Sequence, residues 1–326
     1  MTTKQRVLEI LQAAGDQSVS GEAIASQLSV QRNTVWKAVC GLKKDGYHID
    51  SVPNRGYHYC PDNDVLSTDG ICWYLAGEAL PYQIVTRQSV TSTNTQMKAA
   101  AENGAPAFSV LVAQEQTAGR GRRGRQFYSP GKHGLYMSIL LRPALSAGET
   151  LSITTAAAVA VCRAIERESD KKPAIKWVND VYIDERKVCG ILTEASLDLE
   201  SGGLHYAILG IGVNLSQPEN GFPKEIAEIA TTVYGKKAPP DAKNRMAAAI
   251  LSAFYALYQA LPDKAHMSAY RAYSFILGKP VNVLSASGER PAVAEEIDDA
   301  AHLIVRYADG STQALSSGEI SIRPIK

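Results

Sequence analysis

Residues 119–125 read Gly-Arg-Gly-Arg-Arg-Gly-Arg, and no other stretch of the chain narrows its fold as much. The pattern is literally G-x-G-x-x-G behind a strand-like run at 108–114, which raises a dinucleotide-binding fold. That fold needs the motif to open a helix. Here Ser129, Pro130, Gly131 and Gly134 follow, and residues 135–141 then read as another strand. The phosphate loop G-x-x-x-x-G-K-[ST] fails as well, because Arg125 and Gln126 stand where Lys and Ser or Thr are required. What is left is a loop between strands, with five cations from Arg120 to Lys132 and no carboxylate. Consecutive amides in such a loop form a nest for anionic oxygens, and guanidinium forks grip carboxylate or phosphate. Three readings stay open on the loop alone: a cover for a small anion of several charges, an RNA-binding arginine loop, and a disordered surface loop. Under the first, residues 117–133 should be mobile until an anion offsets the repulsion of like charges.

The flanking segments set the fold class. Residues 83–89 suit a strand, and 93–101 a helix ended by Gly104. Ser146 or Gly148 opens a long Ala- and Val-rich helix to about Glu168, and four extended runs follow at 174–178, 181–183, 187–196 and 204–215. Strands in succession with helices elsewhere mean α+β with a mostly antiparallel sheet. Two apolar-faced helices at 245–261 and 265–276 come next. Residues 277–326, with short β runs cut by Gly- and Ser-containing turns, then read as a small SH3-like barrel.

The first sixty residues differ in character. Val7, Leu8, Ile10 and Leu11 share a helical face, Ser20 can cap a second helix carrying Ile24 and Leu28, and Ser29 a third. The third carries Val35, Val39 and Leu42 inward, with Trp36 expected in the same small core; Gln31, Arg32, Asn33, Thr34 and Lys37 face outward. After Lys43, Lys44 and Gly46, residues 47–59 read as two strands around Pro53-Asn54-Arg55-Gly56, completing a winged helix. With 34 cations against 33 anions the whole chain carries only +1, so any nucleic-acid contact must come from a local patch. Residues 29–59 supply one, with five cations and two anions. The start of the third helix could read a major groove while Arg55 meets the backbone or minor groove.

A length of 326 residues suits about two domains. A hydrophobic share of 45% with 21% charged residues excludes collagenous, disordered and disulfide-dense classes. The five cysteines are odd in number and never spaced C-x-x-C, so neither a disulfide framework nor a zinc knuckle is indicated, and a reducing, cytoplasmic setting is expected. The first residues hold no h-region, and the longest apolar stretch, 246–261, is interrupted by Ser252 and Gln259, so no signal peptide or membrane span is expected.

One further constellation sits beside the arginine loop. Lys176-Trp177-Val178-Asn179-Asp180 ends one strand and Lys187-Val188-Cys189-Gly190-Ile191-Leu192 begins the next, across an Asp184-Glu185-Arg186 turn that brings lysine and aspartate to facing strands. Ser92-Thr93-Asn94, Gln116, Ala118 before the loop, Gly210-x-Gly212-x-Asn214 and the Gly-Glu-Ile-Ser-Ile-Arg ending at Arg323 complete an ordered set. Over residues 85–326 the sequence resembles the biotin protein ligase family. The winged helix adds a resemblance to its bifunctional members that also repress the biotin operon.

That resemblance implies a class II aminoacyl-tRNA-synthetase-like catalytic fold. It also implies activation of biotin by ATP to biotinyl-5'-adenylate, and transfer to a lysine of a biotin carboxyl carrier protein. Carried over, Ser92, Thr93, Asn94 and Gln116 would surround biotin with Arg120, Gly121 and Arg122. Lys187 would pair with the carboxylate, and Asp180 would orient the incoming amine. Gly119, Arg123, Arg125, Phe127, Lys176, Asn179, Asn214 and Arg323 would lie toward the nucleotide. Magnesium would be held mostly through ATP and water, with Asp180 or Asn214 beside it. The partners implied are the carrier, operator DNA of biotin synthesis genes, and a second copy of the chain once the adenylate is bound. The division expected is a DNA-binding domain at 1–60, a linker at 61–68, a catalytic domain at 69–276 and the barrel at 277–326. Val178 replaces a proline frequent in the family, and Phe127 a tryptophan. Other readings on the same residues are a biotin-sensing regulator without efficient turnover, a lipoate or octanoate ligase, and an RNA-binding protein.

Overall fold

Thr2 and Gln5 close a capping box at the start of α1 (Thr3–Ala13), which buries Val7, Leu8 and Leu11. The computed structural model describes residues 2–60, 63–143, 145–146, 149–197, 203–285, 288–316 and 321–324. Its chain forms two units, Met1–Gly77 with Ala238–Ala248 and Glu78–Lys237 with Ala249–Lys326.

In the first unit Ser20 caps α2 (Gly21–Leu28), accepting from the Ala23 amide at 3.0 Å. Ser29, expected to cap the third helix, instead ends α2 in the left-handed region at φ 54°. Gln31 is the N-cap of α3 (Arg32–Lys44), without a side-chain cap bond. Val35, Ala38, Val39 and Leu42 fill the inward face of α3. Trp36, expected in the core, is 53% exposed. One residue past Val35 is a rotation of about 100° around a helix, which carries the indole off the buried stripe that Ala38 completes. The wing is β1 (Ile49–Val52) against β2 (Gly56–Tyr59), antiparallel, with Arg55 at the exposed tip. A Cβ on Gly56 would stand 2.1 Å from the Val19 carbonyl oxygen, so only glycine lets the wing lie this close to the residues before α2.

The segment expected as a linker is anchored where it is described; Pro61 and Asp62 lie outside the described residues. Asn63 is buried and accepts from the His48 amide at 2.6 Å while donating to the His48 and Cys60 carbonyls. Ser67 caps α4 (Thr68–Tyr74) and hydrogen-bonds the Tyr47 hydroxyl. Asp241 accepts from the hydroxyls of Tyr59 and Tyr74, and burial raises its carboxyl pKa.

The second unit is built on a seven-stranded sheet. β3 (Gln83–Val90) leads through α5 (Thr93–Glu102) to the parallel β4 (Ser109–Gln116). β5 (Gly134–Leu141), α6 (Thr150–Glu168), β6 (Ala174–Lys176), β7 (Asp180–Ile183), β8 (Arg186–Leu197) and β9 (Leu204–Asn214) follow. The order is β3-β4-β5-β9-β8-β7-β6, and every pair but the first is antiparallel, as expected. The start expected for α6 at Ser146 or Gly148 is corrected: Gly148 lies outside the described residues, Ser146 bridges Gly203 outside the helix, and Glu149 is the N-cap. Met97, Ala101, Leu111, Leu140, Tyr206 and Ile208 form a core under α5. Thr154 on α6 hydrogen-bonds Thr193 on the opposite face of β8 at 2.7 Å.

α7 (Ala242–Gln259) and α8 (His266–Tyr273) lead to β10 (Pro280–Ser285), β11 (Gly288–Ile297), β12 (Leu303–Tyr307), β13 (Thr312–Leu315) and β14 (Ser321–Pro324). These five form an antiparallel sheet in the order β13-β12-β11-β10-β14, the small β module expected at this end. No helix among the described residues is long and apolar enough to cross a membrane.

Candidate functional site

Gly190 on β8 pairs directly with Gly212 on β9, and Gly210 lies two residues along the same strand. Because side chains alternate across a strand, these glycines leave one patch of sheet bare. Other groups come down onto it. A Cβ on Gly210 would meet Asn94 Oδ1 at 2.1 Å, and one on Gly212 would meet the Phe127 ring at 2.6 Å. The recess above this floor is lined by Ser92, Thr93 and Asn94, by Gln116, and by Arg120, Gly121, Arg122, Arg123, Arg125 and Phe127 of the arginine loop. Asn179, Asp180 and Lys187 complete its wall. Thirteen residues expected around substrate or nucleotide thus come together from α5, β4, the loop, β7 and β8.

Each wall group is held by its neighbours. Ser92 caps α5, accepting from the Thr95 amide. The amide and hydroxyl of Thr93 both donate to Gln116 Oε1, at 2.8 and 3.1 Å, and Gln116 Nε2 donates to Ser129 at 3.0 Å. Asn94 donates to Glu194 at 2.9 Å and accepts from Ser138 at 2.6 Å, which sets its amide orientation. Lys187 Nζ lies 2.7 Å from Asp180 Oδ1, both side chains partly exposed. The main chain of Lys187 is clamped as well, its amide donating to Ile229 and its carbonyl accepting from Thr231.

The loop folds back on itself: the Gly121 amide donates to the Arg125 carbonyl at 2.7 Å and the Phe127 amide to the Gly119 carbonyl at 2.9 Å. Arg123 takes a left-handed φ of 57°. Gly119 is buried beneath this turn and does not line the recess; a Cβ there would meet the Phe127 carbonyl oxygen at 2.4 Å. Arg120 pairs with Glu194 at 3.0 Å, and Arg122 donates to Asn179 Oδ1 at 3.0 Å. Burial pushes the Arg122 guanidinium below its usual pKa, opposed by nearby Asp180. Arginine stays charged through such a shift. The lining holds five cations and the single carboxylate of Asp180.

Several residues expected on the nucleotide side lie apart from the recess wall or serve its floor. The Asn214 amide donates to the Thr231 carbonyl at 3.1 Å and does not line the recess; it secures the segment that clamps Lys187. Lys176 also lies outside the lining, its ammonium 5.7 Å from the centre of the Tyr182 ring. Phe127 is part of the floor, packed on Gly190 and Gly212 and edge-on to Tyr136, rather than a free stacking plate. Arg323 falls on β14 opposite Asn282, and its side chain lies outside the described residues. Glu194, Ser129, Ser138 and the three floor glycines went unassigned in the sequence. The glycine alternation in Gly210-x-Gly212 was the available signal for the floor, whereas Glu194 carries no motif. Among the described residues the recess holds no group of three His, Cys, Asp or Glu side chains spaced to cage a metal.

In the first unit Gln31, Arg32, Asn33, Lys37 and Arg55 are exposed, and Thr34 is half-buried. Trp36 shares the exposed side of α3 with them.

A winged helix and, in the same chain, a mixed sheet bearing a cation-rich recess over a glycine floor define a ligase joined to a helix-turn-helix regulator. Residues 85–214 match the biotin/lipoate A/B protein ligase family, residues 3–58 an HTH domain, and residues 276–323 the biotin protein ligase C terminal domain. The chain is 35% identical over 232 residues to the bifunctional ligase/repressor BirA of Bacillus subtilis, covering 71% of each protein. It is 23% identical over 310 residues to BirA of Escherichia coli, covering 93% of this chain and 92% of that one. Among solved structures, biotin protein ligase from Aquifex aeolicus in complex with biotin and ATP superposes with a TM-score of 0.63 at 26% identity, over 74% of this chain and 99% of that one. The chain belongs to the biotin/lipoate A/B protein ligase family, in its BirA type.

Proposed function

We propose that this chain is a biotin protein ligase and a transcriptional repressor of biotin synthesis genes, with biotinyl-5'-adenylate as both reaction intermediate and corepressor. The observation that carries the ligase half is the Lys187–Asp180 pair beside the arginine loop, above a floor of glycines. In the first step the biotin carboxylate attacks the α-phosphate of ATP and pyrophosphate leaves. Two anions must approach, so cations are needed where charge builds up. Arg120 and Arg122 close over the carboxylate and phosphate, and Lys187 exchanges its contact with Asp180 for the carboxylate oxygen. Arg123 and Arg125 face the remaining phosphates. Asp180 is the protein carboxylate that would stand beside a magnesium ion arriving with ATP, which would supply charge neutralisation for the leaving pyrophosphate.

Biotin lies between Ser92, Thr93, Asn94 and Gln116, which the bonds of Thr93 to Gln116, of Gln116 to Ser129 and of Ser138 to Asn94 hold ready for its ureido and ring atoms. In the second step the carrier lysine attacks the acyl carbonyl and AMP departs. Asp180, released by Lys187, accepts the proton of the attacking amine. The acceptor is a biotin carboxyl carrier protein. We assign DNA binding to 1–60, catalysis to 69–276 and the terminal β module to 277–326, in a cytoplasmic protein that pairs with a second copy when the adenylate is bound. Gln31, Arg32, Asn33, Thr34 and Lys37 face base edges, and Arg55 the backbone.

The test is to incubate the protein with biotin, ATP, magnesium and a carrier domain, then weigh the carrier. A mass gain of one biotin per carrier is expected. Pyrophosphate release driven by lipoate or octanoate but not biotin would overturn the substrate, and tight biotin binding without turnover would leave only a sensor.

A further inference from the structure

The wing bears a set of metal-ligand side chains to which the proposed function gives no role. Asp50 lies on the first strand with His48 just before it, and His58 on the second with Cys60 just after it. The register sets Asp50 opposite His58, and the bond from the Cys60 amide to the His48 carbonyl, 3.1 Å, extends the ladder by one pair. With a two-residue period all four lie on one face, while Tyr47, Ile49 and Tyr59 occupy the core on the other. Donor atoms of His48, Asp50 and Cys60 all lie within 4.8 Å of one another. A tetrahedral site with bonds of about 2.0–2.3 Å has edges of roughly 3.3–3.8 Å, so small side-chain rotations close the gap. His58, opposite Asp50 in the register, stands outside this group of three and would join it as a fourth ligand by turning its ring toward them. Beneath them buried Asn63 bonds both the amide and the carbonyl of His48 and the carbonyl of Cys60, fixing the backbone that carries two of the donors.

We propose that this face of the wing binds a zinc-class divalent metal through His48, Asp50 and Cys60, with His58 completing the set. Thiolate, imidazole and carboxylate together favour zinc over magnesium or calcium. On binding, the Cys60 sulfur–hydrogen bond breaks, its proton passes to solvent and a sulfur–metal bond forms. Formal charge at the cluster goes from −1 (Asp50 alone) to 0 (+2 −1 −1), so the wing that carries Arg55 becomes one unit more positive.

The full-length protein titrated with cobalt(II) tests this. One equivalent should produce a thiolate-to-cobalt charge-transfer band that zinc bleaches. Cys60→Ser should abolish the band, and the double variant His48→Gln, Asp50→Asn, at two exposed positions, should weaken cobalt binding at least ~10-fold. Cys40→Ser with Cys72→Ser should leave it intact. The proposal is overturned if no band appears at one equivalent, if the band survives the His48/Asp50 double variant unchanged, or if it follows Cys40 or Cys72 instead.

Discussion

Lys187 meets Asp180 because a tight β-turn sets β7 against β8, and its main chain is gripped by the segment at 229–231. The side chain is partly exposed and contributes little to folding, since pairs of this kind are worth at most about 1 kcal/mol. Lys187→Ala should therefore keep the melting temperature of the native protein while slowing adenylate formation ~10²- to 10³-fold, or about 3–4 kcal/mol. Pyrophosphate exchange on the folded variant measures this, and near-native exchange would remove Lys187 from the reacting groups. Gly210 acts by the absence of a side chain. Gly210→Ala would place a Cβ 2.1 Å from Asn94 Oδ1, and Asn94, held by Ser138 and Glu194, has no room to give. Calorimetric titration should find biotin affinity lowered at least ~10-fold; unchanged affinity would mean that the floor does not shape the biotin site.

At the scale of elements, the arginine loop and the α6–α8 pair make contrasting predictions. The loop is tied to the recess through Arg120 to Glu194 and Arg122 to Asn179, while Arg123, Gly124, Arg125 and Gln126 stay exposed. Amide exchange over 119–127 should slow when biotin and ATP are added together, because an anion relieves the repulsion of its guanidinium groups. Equal exchange with and without ligand would identify a preformed cover. On the far side of the sheet α8 brings His266 to Thr155 of α6 at 2.9 Å, fully buried, and burial lowers its pKa to about 4. An unfolded histidine titrates near 6.5, so as pH falls the unfolded chain takes up the proton first. Stability from this group is complete above pH ~6.5 and falls by something on the order of 3 kcal/mol toward pH ~4. Urea midpoints at pH 7 and pH 5 should differ more for the native protein than for His266→Gln; an equal difference would place the acid sensitivity elsewhere.

For the whole molecule, charge sets the repressor problem. A net charge of +1, with a small local excess on the winged helix, yields few phosphate contacts per copy and a shallow salt slope. Two copies on one duplex face would gain by effective concentration, with half-sites spaced by whole helical turns. With biotin and ATP present, the sedimented mass should double and affinity for the promoter of the biotin synthesis genes should rise well above that for scrambled DNA. A monomer with no preference would leave the ligase alone standing.

The arginine loop, the Lys-Trp-x-Asn-Asp run, the strand succession and the three amino-terminal helices were legible in the sequence because each is local. Periodicity, caps and glycine placement act over a few residues, and Ser20 and the wing glycine at position 56 behave as their neighbours dictate. Ser29 was misread because an αL stop for one helix and an N-cap for the next use the same residue type. What only the tertiary structure decided is which face a side chain meets. Trp36 and Val35 are adjacent in sequence but about 100° apart around a helix, so burial separates them. Asn214 and Lys176 sit within motifs that supply the recess, yet the Asn214 side-chain amide donates to Thr231 and the Lys176 ammonium stands over the Tyr182 ring. Glu194 becomes part of the site only because β8 pairs with β9 and α5 crosses that face, setting it beside residues 74 and 100 positions away in the chain. Local signals name the elements; partners that distant are chosen by packing, which a linear pattern does not encode.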